Sequence, residues 1–171
     1  MVIWLIGISG SGKTTLGNLI FKTLKETRND WVFLDGDGLR EVWGGELSHS
    51  IADREVNAKR ISRLCYLLDQ QNVNVIASVL SIFPSWQTWN RENFSSYFEV
   101  YVKADINTVI ERDTKGLYER ALKGELKDVV GIDIPFPEPL EADTVIETSD
   151  PNETPEKSAQ RLLYLINKGL P

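Results

Sequence analysis

The chain reads as an α/β protein built on a doubly wound, five-stranded parallel sheet with helices on both faces and a lid segment. Three observations predict this. Short apolar strands alternate with amphipathic helices, a Gly-rich turn joins the first strand to the first helix, and one charged, Pro-rich stretch breaks the alternation. Residues 2–6 form an apolar run fit for a buried strand, and residues 14–25 form a helix with Leu16, Leu19, Ile20, Phe21 and Leu24 on one side. Further strands are expected at 31–34, 73–80, 97–102 and 144–147, with helices at 52–70, 86–95, 106–112 and 155–167. Thr154 suits the N-cap of the last helix and Pro155 its first position. Right-handed crossovers then place ligands at the carboxyl ends of the strands. Residues 115–139 carry many charges and glycines, then Pro135, Pro137 and Pro139; the stretch is too long for a plain connector and reads as a lid.

With 171 residues the chain suits one domain, 1–171, large enough for a sizeable core. Forty-two percent apolar residues and a mean hydropathy of -0.23 fit a water-soluble protein, and no apolar run approaches the ~20 residues that span a bilayer. Met1-Val2 leads straight into the first strand without the cationic flank of a signal peptide. Cys65 stands alone, so no internal disulfide forms and a reducing cytoplasm is expected. A net charge of -6 argues against a nucleic-acid surface, leaving small anions in a local pocket as the expected partners.

Residues Gly7-Ile8-Ser9-Gly10-Ser11-Gly12-Lys13-Thr14-Thr15 match the phosphate-binding pattern G-x-x-x-x-G-K-[ST] in full, between a strand and a helix. Glycines let successive backbone N–H groups face phosphate oxygens, and the helix N-terminus adds positive dipole. Lys13 is expected at the β and γ phosphates of a nucleoside triphosphate and Thr14 on Mg²⁺. The architecture is thus of the P-loop NTPase type. At the second carboxyl end, Asp35-Gly36-Asp37-Gly38-Leu39-Arg40 offers carboxylates for the metal's water shell or for an attacking hydroxyl, although the same run is also ordinary turn chemistry. Arg54 and Asn57 share one face of the next helix and suit a substrate anion and a ribose or base edge. Asp53 and Arg60 fit a solvated, ion-paired face equally well.

The phosphate loop, Leu34-Asp35-Gly36-Asp37 with Arg40, Asp53-Arg54 with Asn57, and Arg112-Asp113-Thr114-Lys115-Gly116-Leu117-Tyr118 together resemble the adenylyl-sulfate kinases. Gly124-Glu125-Leu126-Lys127 and Gly131-Ile132-Asp133 follow in the same order, so the likeness covers nearly the whole chain. The resemblance implies transfer of the γ-phosphoryl of ATP to the ribose 3′-hydroxyl of a nucleotide. It places Gly10, Ser11, Gly12, Lys13, Thr14 and Thr15 on the ATP phosphates, and Arg112 with the lid over the ATP base. Thr14 and Asp35 would serve Mg²⁺, Asp37 would be the base, and Lys13 and Asp35 would share the catalytic work. Arg40, Arg54, Asn57, Lys115 and Leu117 would bind the acceptor. The resemblance also raises a homodimer.

Departures bear on the acceptor. Where the family has two phenylalanines sandwiching the adenine of adenylyl sulfate, this chain has His49 and Val129. The family's Ser-Pro-Tyr-Arg has become Ser81-Ile82-Phe83-Pro84. Stacking contributes about 1–3 kcal/mol per ring, so losing both phenylalanines weakens adenine binding unless Trp43, Phe83 or Trp86 replaces them or His49 itself stacks. A branch of the family phosphorylates cytidine diphosphoramidate, in capsule modification, and this chain looks more like that branch around 80–84, 129–131 and 135–139. His49, Ser81, Ile82 and Val129 are therefore expected to line the acceptor pocket. An adenylyl-sulfate kinase, a gluconate- or shikimate-type kinase and a nucleotide-binding regulatory module stay as alternatives. Trp4 and Trp31 read as core or sheet-edge packing and Cys65 as a buried small apolar residue, and Trp86 with Trp89 suits lid docking, a dimer contact or core packing.

Overall fold

The computed structural model describes residues 1–113 and 115–168, so Thr114 of the Arg112–Tyr118 signature lies outside the described residues. Five parallel strands run β1 (Val2–Ile6), β2 (Trp31–Asp35), β3 (Asn74–Val79), β4 (Tyr97–Lys103) and β5 (Thr144–Glu147), in spatial order β2-β3-β1-β4-β5. Strand β1 is central and buried at all five positions, with Ile3 level with Ile76 on one side and Phe98 on the other. Period-2 alternation divides it between two cores. Ile3 and Leu5 face Leu16, Ile20 and Leu24 of α1 (Lys13–Thr27) and Leu162 and Ile166 of α7 (Pro155–Asn167). Val2, Trp4 and Ile6 face Ile61 and Cys65 of α3 (Ile51–Gln70), with Phe94 after α4 (Pro84–Asn93). Trp4, Trp31 and Cys65 are core residues, as expected. Thr154 caps α7 by accepting from Lys157 N, with Pro155 in the first turn.

Several boundaries differ from expectation. Strand β3 lacks Val73 and Leu80, and α4 starts at Pro84, where a proline fits the first helical position, and not at Trp86. Two short helices went unread. Helix α2 (Gly36–Val42) contains two glycines, each costing about 1 kcal/mol in a helix, yet the Asp35 carboxylate caps it by accepting from Asp37 N and Gly38 N. Helix α6 (Leu117–Leu122) lies inside the expected lid; the Asp113 carboxylate accepts from Leu117 N and Glu119 N ahead of it. Helix α5 (Ile106–Arg112) has the bounds expected. A third apolar cluster joins Ile8 and Val109 to Tyr118, Ala121, Val129, Val130 and Ile134, so residues 115–139 pack on the phosphate loop.

The loop needs its glycines for two reasons. Gly10 and Gly12 hold φ of 77° and 95°, in the left-handed region. At Gly7 a Cβ would lie 2.3 Å from the Val102 carbonyl oxygen and 2.6 Å from Ser11 Oγ. Gly7→Ala should therefore cost about 1–3 kcal/mol through overpacking, read as a lower urea midpoint at unchanged slope.

Candidate active site

A cavity of about 920 Å³ opens along the carboxyl ends of β1, β2 and β3. Gly10, Ser11, Gly12, Lys13, Thr14 and Thr15 line one part, and Asp35, Asp37, Arg40, His49, Arg54 and Asn57 another. Ser81, Ile82, Arg112, Lys115, Leu117 and Val129 complete the wall. The residues expected to hold ATP, the metal and the acceptor thus border one space.

The phosphate-loop end is tightly wired. Thr14 Oγ1 donates to Asp35 Oδ2 at 2.7 Å and lies 3.4 Å from Ser78 Oγ at the end of β3. Lys13 Nζ donates to the Ile8 carbonyl at 2.7 Å. Desolvation inside the loop lowers the Lys13 ammonium to about 8, against the opposing pull of Asp37 and Asp35. Tyr118 OH donates to Ser9 O and Thr148 Oγ1 to Ser11 O, at 2.8 and 3.0 Å. Arg112 donates to the Thr148 carbonyl at 2.5 Å. Ser11 Oγ is buried without a hydrogen-bond partner among the described residues.

The other wall holds Asp37, whose Oδ2 accepts from Lys115 Nζ at 2.6 Å. Desolvation presses the Asp37 carboxyl up, but the Lys115 hydrogen bond and charge, helped by Lys13 and His49, hold it below the ordinary value. Arg54 donates to His49 O at 2.7 Å and to Asp128 O at 2.8 Å, tying the 115–139 segment to α3. Arg40 donates to Leu47 O and Ser48 O. Desolvation lowers both guanidiniums, and Arg40 adds to the fall at Arg54. Partial desolvation, then the charges of Arg40 and Arg54, keep His49 below its usual range and so neutral at pH 7. These cations concentrate positive charge in one cavity of a net acidic chain, which is what a polyanionic ligand needs.

The aromatic replacements divide. Phe83 and Trp86 line the cavity, whereas Trp43 does not; it packs toward the α3 side and donates from Nε1 to Asn57 Oδ1 at 3.0 Å. Trp89 packs edge-on to Tyr66 and Phe94. Asp53 accepts from the Ser48 hydroxyl and backbone N–H, and Arg60 pairs with Glu46; neither borders the cavity. Trp4, Ser78 and Thr148 border it without having been nominated. Ser78 and Thr148 sit at or just beyond strand carboxyl ends, so position alone could have flagged them.

A phosphate-loop kinase is what this fold and cavity define. A sequence profile of the adenylylsulphate kinase family matches residues 1–147. The chain is 40% identical over 159 residues to a cytidine diphosphoramidate kinase from Campylobacter jejuni subsp. jejuni serotype O:2, covering 91% of each. It is also 40% identical over 169 residues to an adenylyl-sulfate kinase from Paraburkholderia xenovorans, covering 98% of this chain and 94% of that one. The structure of the Mycobacterium tuberculosis APS kinase with AMPPNP and APS superposes at a TM-score of 0.87, with 28% identity over 97% of this chain and 96% of that one. The chain belongs to the adenylylsulphate kinase family. It is a phosphotransferase with an all-parallel five-stranded kinase fold.

Because Lys115 holds Asp37 ionised, Lys115→Met should raise the Asp37 carboxyl pKa, read by carbon-detected NMR titration. An unmoved titration would mean that the ion pair does not form in solution.

Proposed function

We propose that this enzyme transfers the γ-phosphoryl of ATP to the ribose 3′-hydroxyl of cytidine diphosphoramidate, a step of capsule phosphoramidate biosynthesis. The observation that carries the choice of acceptor is the pair His49 and Val129 on the cavity wall, a smaller imidazole and an aliphatic side chain where the family has two phenylalanines. A pyrimidine needs less stacking area than adenine, and neutral His49 offers a hydrogen bond to a base edge. The likeness to the C. jejuni enzyme supports the same reading.

Catalysis by this chain is positioning and charge neutralisation. The backbone N–H groups of Gly10 to Thr15 and the Lys13 ammonium hold the triphosphate, with Arg112 near its base. Thr14 and Asp35 present a hydroxyl and a carboxylate side by side, hard oxygen donors that fit Mg²⁺. Bound there, Mg²⁺ would offset charge on the triphosphate. Arg40, Arg54, Asn57, Lys115 and Leu117 orient the acceptor, and Asp37, kept ionised, takes the hydroxyl proton late in the transfer. Residues 115–139 act as a lid that excludes water.

Adenylyl sulfate is the second reading. Phe83 and Trp86 on the wall supply aromatic faces for adenine by another route.

ADP release measured with each acceptor in turn decides between them. At least tenfold higher kcat/KM is expected with cytidine diphosphoramidate, and the opposite preference overturns the choice of base. Asp37→Asn should lower kcat by about 10²- to 10⁴-fold with ATP affinity within twofold; near-normal turnover would remove Asp37 as the base. ATP binding should take up roughly half a proton near pH 8, since the triphosphate restores a Lys13 ammonium that is half-deprotonated there, and far less at pH 6.5. Calorimetry in buffers of different ionisation enthalpy reads this directly.

A further inference from the structure

Ser81, like Asp128, is a non-glycine residue of the cavity wall with a positive φ. Its φ is 52°, in the left-handed region, which a non-glycine residue keeps only where its surroundings hold it. It lies three residues beyond Ser78, past the end of β3, and shares the wall with Trp4, Ile82, Phe83 and Trp86. Two side chains grip it. Gln87, one turn into α4 and not itself on the cavity wall, places Nε2 at 3.2 Å from Ser81 O and 3.3 Å from Ser81 Oγ. Trp4, 2% exposed in the central strand, aims Nε1 at the same Oγ at 3.4 Å.

The chemistry of these groups fixes the direction of each hydrogen bond. A carbonyl oxygen only accepts, so the Gln87 atom facing Ser81 O must be the amide nitrogen, whichever way the amide is drawn. That nitrogen has two hydrogens, one for the carbonyl and one for Oγ. An indole N–H only donates. Ser81 Oγ therefore receives two donors, which fill both of its lone pairs. What it has left is its own proton.

We propose that Gln87 and Trp4 are positioning residues for the acceptor nucleotide: they commit the Ser81 hydroxyl to act as a donor into the cavity, toward a ring nitrogen or carbonyl oxygen of the base. The assignment rests on the reading of this wall as the acceptor pocket. It explains why a non-glycine residue keeps a left-handed backbone here: the twist brings Ser81 O and Oγ onto one amide. It also gives the buried Trp4 N–H a partner, where an unpaired indole N–H in the core would be costly.

Gln87→Glu is the sharpest test. A carboxylate in that place has no hydrogens for Oγ; it accepts the Ser81 proton, turns it away from the cavity and repels the Ser81 carbonyl. Gln87→Met removes the grip without reversing it, and Trp4→Phe removes only the indole donor. Cytidine and adenosine 5′-monophosphate serve as probes, titrated with the phosphate loop filled by a non-hydrolysable ATP analogue. Gln87→Glu should weaken binding of the preferred probe about tenfold, with smaller losses in the other two variants and ATP-analogue affinity within twofold throughout. A general structural role would weaken both ligands together, and that result overturns the proposal. So does an unchanged probe affinity in Gln87→Glu, or, should that variant not fold, in both of the others. If the variants behave as expected but the wild-type enzyme phosphorylates neither acceptor, the grip on Ser81 stands and the proposed reaction falls. If the wild-type enzyme binds neither probe, both fall.

Discussion

The cavity depends on the two oxygens of Asp35. Oδ1 takes the backbone N–H groups that start α2, and Oδ2 takes the hydroxyl of Thr14 at the start of α1. One carboxylate thereby sets the turn out of β2 and locks it to the phosphate loop. Asp37 and Arg40 follow on α2, so the same turn decides where they sit. Without that cap, a helix carrying Gly36 and Gly38 has little reason to form. The charge of Asp35 thus serves local folding and site geometry together, and its neutral isostere would disturb both.

A second constraint comes from charge held at close quarters. Lys13, Arg40, Arg54 and Lys115 border one space, and the protein satisfies them with its own groups: the Ile8 carbonyl, Leu47 and Ser48 carbonyls, His49 and Asp128 carbonyls, and Asp37. Most of these partners are backbone oxygens, neutral dipoles rather than full anions. An entering phosphate is a stronger partner for any of these cations. The cost of exchanging partners is low because each cation gives up a dipole and gains a charge. Asp37 is the exception, since Lys115 already gives it a full ion pair.

Much of this was legible in the chain. The apolar run of β1 and the capped α7 have the bounds their patterns predict, because local signals there agree with tertiary burial. Helix α2 was hidden because its glycines argue against a helix and its cap argues for one, and a pattern weighs the first more than the second. Helix α6 is six residues long, too short for periodicity to register. Site residues in runs of known chemistry, such as 10–15 and 35–40, were nominated together and border one cavity. Trp4 and Ser78 were missed for the opposite reason: each looks like an ordinary strand residue, and only sheet order reveals which strand ends meet the loop. Trp43 and Trp86 illustrate the same limit. Both are tryptophans near expected helices, and only the path of the chain puts one on the cavity wall and the other against Asn57.

The phosphate loop is nine consecutive residues near the start of the chain, yet the contacts around it come from far along it. Val102 closes on Gly7, Tyr118 holds the Ser9 carbonyl, and Thr148 holds that of Ser11, 137 positions away. During synthesis, then, the loop emerges well before the residues that complete it. A nascent chain lacks a finished nucleotide site until the fifth strand has docked, so nucleotide in the cell selects for the last stage of folding. The ligand rewards completion and not the early collapse of the sheet.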